Sequence, residues 1–395
     1  FPPDRRARLC RFFDAAGDFD EGLLTVFHAP RSVTGEQVAE LGCHGNPLIV
    51  ERLLAAAVSA GARMARPGEF TRRALLNGRV DLTRAEAVLQ AIEASTPEGL
   101  RLAREGMEGA VCSLADALRE ALVDAIAELE ARLDHPGEEL TLTDDGELIR
   151  RLEELGDRAE AAAATFQAGR LLIEGAVVAL VGPVNAGKSS LFNALGGSAR
   201  ALVSELPGTT RDVVERRIRL GAVAVTLLDT AGLREHPEEL EAQGLAMAQR
   251  LSAQADLWVV VVPAHEPERA AEALKRAAGR PHLVVSNHAD RAQGGGLRTN
   301  ALTGEGVSDL GTAIAEALVG EDLGAGLVIA SARQRDRLLE LAQQLRLAAL
   351  SLPEAGPAVA AEDLYAGLER LDELTGRDTR EEVLDRLFSR FCIGK

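Results

Sequence analysis

The chain has 395 residues, 46% hydrophobic and 27% charged, which is too long for one small core and points to two to four domains with globular packing. Aromatics make up only 3% while Ala, Leu, Arg and Glu abound, a mixture that favours extensive helix and argues against an all-β fold. The net charge of −17 opposes nonspecific nucleic-acid binding over the whole surface, so any RNA contact must be local. Cys10, Cys43, Cys112 and Cys392 are scattered without metal-like or disulfide spacing, which gives the expectation of a reduced, cytoplasmic protein. No apolar run has the length to cross a bilayer, so no membrane partner is expected. No signal peptide is legible, and because the sequence begins at Phe1 we expect residues ahead of it.

Residues 1–77 mix short apolar strands, such as 23–27, with a helical segment at 47–59, and read as a small α/β domain. His44, beside Cys43, sits in a tight turn and reads as a locally hydrogen-bonding residue more than as a ligand or base. Six arginines between Arg63 and Arg84 face only Glu69 and Asp81. That patch suits an anion or RNA phosphate as well as it suits a solvated surface salt-bridged to those two acids. From residue 82 to 133 apolar side chains recur at helical spacing, among them Leu114, Leu118, Leu122, Ile126, Leu129 and Leu133. Pro136-Gly137 breaks the run, Asp144-Asp145-Gly146 is expected to make a turn, and residues 148–173 resume one helical pattern.

A strand is expected at 176–181 and a helix from Ser189 to Leu195, and between them lies G-x-x-x-x-G-K-S, residues 182–189. Triphosphate oxygens need donors on several sides, and a loop feeding a helix N-terminus aims successive backbone N–H groups at them. Gly182 and Gly187 permit the required dihedrals, Lys188 reaches the β- and γ-phosphates, and the Ser189 hydroxyl is placed to hold Mg²⁺. Residues 213–220 turn at Gly221-Ala222 into 223–228, a hairpin ending at Asp229. Strands at 257–262 and 282–285 alternate with helical stretches, which predicts a mostly parallel sheet covered by helices on both faces. From residue 327 onward the pattern is helical, with Pro353 and Pro357 marking a break between the first and second of these helices.

Gly208-Thr209-Thr210-Arg211-Asp212 supplies a hydroxyl, Thr210, that reaches Mg²⁺ when a γ-phosphate draws the loop inward. Asp229-Thr230-Ala231-Gly232 supplies a carboxylate for the Mg²⁺ shell and the Gly232 N–H for the γ-phosphate. In this order after the phosphate loop, they signal a switch GTPase. Asn287-His288-Ala289-Asp290 decides the base: an ionised Asp290 only accepts hydrogen bonds, so it pairs with the N1–H and N2–H₂ donors of guanine and not with adenine. Asn287 would brace base and loop, and His288 can stack where such proteins usually carry Lys. Asn300-Ala301-Leu302 stands where they carry Ser-Ala-Lys or Ser-Ala-Arg. The Ala301 N–H contact survives while the Ser hydroxyl and basic stem do not, so guanine binding is expected in weakened form.

With these motifs the chain resembles the MnmE (TrmE) family of bacterial tRNA-modification GTPases, at Thr34-Gly35-Glu36, His44-Gly45, Arg66-Pro67-Gly68-Glu69-Phe70, Asn77-Gly78, Asp81-Leu82, Asp229-Thr-Ala-Gly-Leu-Arg234 and the terminal Phe391-Cys392-Ile393-Gly394-Lys395. The resemblance implies a multidomain α/β plus all-α protein: a small α/β folate-binding-type domain at 1–77, truncated at its start, a helical domain in two parts, 78–174 and 323–395, and an inserted Ras-like P-loop GTPase domain at 175–322. GTP contacts are implied at Asn185, Ala186, Gly187, Lys188, Ser189, Ser190, Ser204, Thr209, Thr210, Asp229, Thr230, Ala231, Gly232, Asn287, His288, Asp290, Asn300, Ala301 and Leu302. The family implies K⁺ in the place of an arginine finger, held by Asn185 and by Ser204, Leu206 and Thr209, offsetting charge on the transferred phosphoryl. It makes Glu241 the water-orienting acid, a residue that otherwise reads as an ordinary surface acid.

Folate residues carry over less fully. Glu40 and Lys395 match positions for 5-formyltetrahydrofolate or a related folate, Arg79 stands where the family has Lys, and an upstream Arg is missing. Cys392 is similar to a family cysteine needed for tRNA modification, and its bland reading is a small buried hydrophobe. The family implies a GTP/GDP-binding homodimer that acts with MnmG (GidA) on the wobble uridine of certain tRNAs. Two rivals stay open at this point: a divergent nucleotide-binding scaffold with weak turnover, and an Era-like ribosome-assembly GTPase.

Overall fold

The computed structural model describes residues 5–134, 144–198, 200–201, 215–229, 254–290, 296–320, 326–377, 381–392 and 394. The chain divides into two compact units, one of Phe1–Leu89, Met107–Ile149 and Leu347–Lys395, the other of Gln90–Gly106 and Arg150–Arg346.

In the first unit β1 (Arg8–Asp14), β2 (Gly17–Phe27) and β3 (Val38–Gly42) form an antiparallel sheet in that order. The strand expected at 23–27 is the second half of β2. Its first half and β1 escape an apolar pattern because they carry charge, including the Arg11–Asp18 pair at 3.1 Å, while Leu9 and Phe13 stand exposed. Helix α1 (Pro47–Ser59) matches the expected 47–59. Asn46 caps it by accepting the Leu48 N–H at 2.9 Å, and Pro47 fits a first turn that needs no donor.

Helix α2 (Glu69–Leu76) and α3 (Leu82–Glu93) follow. After α4 (Pro97–Glu108) comes α5 (Ala110–Asp134), whose buried stripe is Val111, Ala115, Leu118, Leu122, Ala125, Ile126 and Leu129. Leu114 and Leu133 fall at the edge of that stripe and are only partly covered. Partial burial and the Asp81 and Asp116 carboxylates push the Cys112 thiol up to about 11, which disfavours the thiolate.

Three helical expectations are corrected. Asp144-Asp145-Gly146 is the start of α6 (Asp145–Ala164), with Asp144 Oδ1 accepting the Glu147 N–H at 2.9 Å as a cap instead of closing a free turn. The run 148–173 is two helices, α6 and α7 (Phe166–Glu174), because Thr165 turns its hydroxyl onto Ala162 O at 2.7 Å and accepts the Ile329 N–H at 2.9 Å. No periodicity could show a partner 164 residues away. Pro353 does not itself end a helix: Ala332–Ala355 runs through it at the loss of one i→i−4 bond, and the break falls at Gly356, with Pro357 opening the next helix as expected.

In the second unit the described strands form one sheet. They are β4 (Ala176–Val181), β5 (Arg200–Ala201), β6 (Glu215–Leu220), β7 (Val223–Asp229), β8 (Leu257–Pro263), β9 (His282–Asn287) and β10 (Leu297–Thr299), ordered β10-β9-β8-β4-β7-β6-β5. β4 pairs in parallel with β7 and β8, and β8 with β9, while the expected hairpin β6–β7 is antiparallel. Helices cover both faces, which is why β8 is buried throughout: Leu257, Val259 and Val261 enter one core, Trp258, Val260 and Val262 the other. This strand order, with a phosphate loop after the central strand, is a Ras-like nucleotide domain. No described helix is long and apolar enough to cross a membrane.

Glu69 opens α2 under the N–H of Arg66 (2.8 Å) and the guanidinium of Arg63 (2.9 Å), and these donors, Arg63 first, hold its carboxyl at about 2 against a usual 4.5. A carboxyl that titrates lower when folded favours folding above pH 4.5 and loses that contribution as pH falls toward 2. The melting temperature of wild type should therefore exceed that of Glu69→Gln at pH 7, with the gap closing between pH 4.5 and 2.5. A gap independent of pH would rule the ion pair out as its source.

Candidate functional site

Strand β4 ends in the loop 182–187, which feeds the helix Lys188–Ser198, α8. Gly182 has φ +151, and a Cβ there would stand 2.4 Å from Val261 O on β8. Gly187 has φ +85, and its Cβ would stand 2.1 Å from Asn287 Nδ2. Both positions thus need glycine for space as well as for dihedral freedom. Asn185, at φ +64, is held in the left-handed region and exposed. Lys188 is buried and spans the loop, its Nζ donating to Gly182 O (3.1 Å) and Pro183 O (2.8 Å). Ser189 and Ser190 are exposed in the first turn of α8, where N–H groups and the helix dipole favour an anion. Asp229 ends β7, opposite Leu180 in the parallel register, and is only 3% exposed.

Asn287 closes β9 and is fully buried. Its Nδ2 donates to Ala186 O at 2.9 Å, and its Oδ1 accepts the Thr299 hydroxyl (3.3 Å) and the Ala301 N–H (3.2 Å). One side chain therefore joins the phosphate loop to the loop carrying Asn300, Ala301 and Leu302. His288 follows at φ +63, its ring 5.5 Å from that of His265 at 47°. Asp290 is exposed and accepts from Asn300 Nδ2 at 3.1 Å. Asn300 is 5% exposed and Leu302 82%. The site therefore brings together a phosphate cradle, a buried carboxylate and a carboxylate beside a brace.

Two family models match the chain: one described as the MnmE helical domain over residues 82–392, the other as the GTP-binding protein TrmE N-terminus over residues 2–79. The chain belongs to the MnmE family. Similar proteins named tRNA modification GTPase MnmE come from Myxococcus xanthus (43% identity, 100% of this chain and 90% of that protein), Halorhodospira halophila (41%, 100% and 88%) and Akkermansia muciniphila (40%, 99% and 89%). Membership in the MnmE family sets the Era-like alternative aside.

Of the site residues expected for an MnmE-family member, Ser204, Leu206, Thr209, Thr210, Thr230, Ala231, Gly232, Glu241 and Lys395 lie outside the described residues. Glu40 and Arg79 are exposed. The Thr34-Gly35-Glu36 stretch meets Asn77 and Arg79: Asn77 Nδ2 donates to Thr34 O at 2.8 Å, and Gly35, at φ +80, leaves room for the Arg79 stem. Four of the six patch arginines are ion-paired: Arg63 with Glu69, Arg72 with Glu381 and Asp385, Arg73 with Glu36, and Arg84 with Asp81. Arg66 and Arg79 have no ion-pair partner among the described residues. His44 binds Asp20 through its backbone N–H (3.0 Å) and its ring (2.7 Å), as a turn histidine would.

The sequence reading missed that the Arg66–Phe70 motif and the terminal motif belong together. Gly68 N–H donates to Cys392 O at 3.3 Å, and a Cβ on Gly68, at φ +65, would stand 2.9 Å from Phe388 O. Both stretches stand out by their resemblance to family motifs, and nothing in their spacing joins them.

Proposed function

We propose that this MnmE-family chain is a K⁺-activated GTP hydrolase that acts with MnmG and a homodimeric partner copy on carbon-5 of the wobble uridine of certain tRNAs. Family membership supports GTP hydrolysis in tRNA modification as the general activity. The single observation that carries the guanine-nucleotide reading is Asn287, which ties the phosphate loop to the base-reading loop so that a nucleotide can bridge them. The proposed division is a folate-binding-type domain at 1–77, the nucleotide domain at 175–322, and a helical domain at 78–174 and 323–395. The proposed location is the cytoplasm.

In the mechanism the residues act as follows. Backbone N–H groups of residues 185–190 and the N-terminus of α8 bind the β- and γ-phosphates. Lys188 exchanges its two carbonyl acceptors for phosphate oxygens. Asp290 accepts from guanine N1–H and N2–H₂, the Ala301 N–H meets the base, and the His288 ring lies against it. Ser189, Thr210 and Asp229 fit a hard cation with oxygen ligands, and Asn185, exposed on a left-handed turn of the loop, fits a monovalent ion together with Ser204, Leu206 and Thr209. Bound there, Mg²⁺ and K⁺ supply fixed positive charge against that developing on the bridging and transferred oxygens. Glu241 orients the attacking water. Glu40, Arg79 and Lys395 are the proposed folate contacts, and Cys392 the proposed residue of the modification step.

GTP hydrolysis measured in potassium and in sodium at equal ionic strength tests the reading. Turnover should be at least about tenfold faster in potassium, as expected when one fixed donor of charge stabilisation is lost, and Asn185→Ala should erase the difference. Equal turnover in the two salts would remove the ion assignment.

A further inference from the structure

The family's usual serine is missing at position 300, and the sequence alone predicts weaker guanine binding. The contacts of Asn300 point the other way. Its Oδ1 accepts the Leu302 N–H (3.0 Å) and the Thr303 N–H (3.3 Å). Those two donors fix which end of the amide is oxygen, because a flipped amide would set N–H₂ against N–H and oxygen against a carboxylate. Nδ2 is therefore aimed at Asp290 Oδ1, 3.1 Å away. The backbone is used as fully: Asn300 N–H donates to Glu305 O (2.9 Å), and Asn300 O accepts from Gly304 N–H (2.9 Å). The side chain is thus locked in one rotamer, on a residue almost wholly buried.

Asp290 is different. It is exposed on the turn after β9, where a free carboxylate samples several rotamers. Reading guanine needs both its oxygens in the plane of two adjacent donors, so a rotamer set before the base arrives spares binding the cost of ordering it. We infer that Asn300 is a positioning residue that pre-orients the Asp290 carboxylate and thereby sets guanine specificity, an inference that rests on the guanine-nucleotide reading above. A serine hydroxyl has one proton and one short arm. The amide separates donor from acceptor, so a single side chain steers Asp290 and caps the 300–303 turn together.

Inosine nucleotides provide the test, because they keep N1–H and lack the 2-amino group, leaving Asp290 one donor instead of two. Affinities of the full chain for GDP, IDP and ADP are measured by calorimetry for wild type, Asn300→Ala and Asn300→Ser. Wild type should prefer GDP to IDP by about tenfold, the value of one hydrogen bond to a charged group. Asn300→Ala should weaken GDP about tenfold and IDP no more than about threefold, shrinking that preference. Asn300→Ser, which keeps a donor and is milder on the fold, should recover most of it. Equal losses for GDP and IDP in Asn300→Ala would mean a loosened loop and overturn the positioning role, as would no loss in either variant. A wild type that binds ADP as well as GDP would sink the guanine reading itself, an outcome visible before any variant is made.

Discussion

Alanine at Gly187 is expected to weaken GDP binding about a thousandfold without unfolding the chain. The substitution forces an L-residue to φ +85, at about 1 to 2 kcal/mol. Its Cβ would stand 2.1 Å from Asn287 Nδ2, so one of the two must move. The Asn287 amide is the end of a side chain, but it is fully buried and bonded to Ala186, Thr299 and Ala301, so it moves only by breaking those bonds. Leaving a buried amide unsatisfied costs about 1 to 3 kcal/mol more. Together these terms come to about 4 kcal/mol, or about three decades of affinity if they fall on the bound conformation. Gly197→Ala is the matched control: nothing lies within 4 Å of its added Cβ. Fluorescent-GDP titration of both variants decides the matter, and a Gly187→Ala affinity within tenfold of wild type would show that the loop absorbs the methyl.

The phosphate loop, its strand and helix, the β6–β7 hairpin and the strand before Asn287 are legible because each is local: a buried run, a turn residue, a helix start. That Asn287 is the hub is not local, since its partners stand at 186, 299 and 301. Asn300 shows the same gap from the other side. Compared with the usual serine it reads as a loss, yet its amide reaches Asp290 ten residues away. The helix boundaries that failed did so for a related reason. Thr165 is turned by Ile329, and Pro353 sits inside a helix whose other bonds outweigh the one it removes, which an inventory of helix breakers ignores. The arginine patch illustrates a third limit. Its local surplus of positive charge is largely neutralised by Glu36, Glu381 and Asp385, which the fold brings from elsewhere in the chain.

The second large effect is expected at Gly68, in the unit that does not carry the phosphate loop. The helix Glu381–Phe388 is amphipathic, and Leu384, Phe388 and Phe391 bury themselves with Leu82, Ala85 and Leu89 of α3. What fixes its end is the Gly68 turn: the N–H holds Cys392 O, and the missing side chain lets Phe388 and Phe391 close over it, their rings 5.3 Å apart. Gly68→Ala puts an alanine at φ +65 and sets a methyl 2.9 Å from Phe388 O and 3.0 Å from Phe391 Cβ. The contact is partly with backbone, so a rotamer change cannot relieve it. Left-handed alanine at about 1 to 2 kcal/mol and overpacking at about 1 to 2 kcal/mol should make the C-terminal helix open about a hundredfold more often. Hydrogen exchange at the Phe388 and Phe391 amides reads that opening directly, with GTP hydrolysis as the check that the nucleotide domain is untouched. Exchange within threefold of wild type would mean that α3, not the Gly68 turn, holds the tail. An accelerated tail with intact hydrolysis and lost tRNA modification would place the two outlying motifs, Arg66 to Phe70 and Phe391 to Lys395, in one working part of the molecule, with Gly68 as the contact between them.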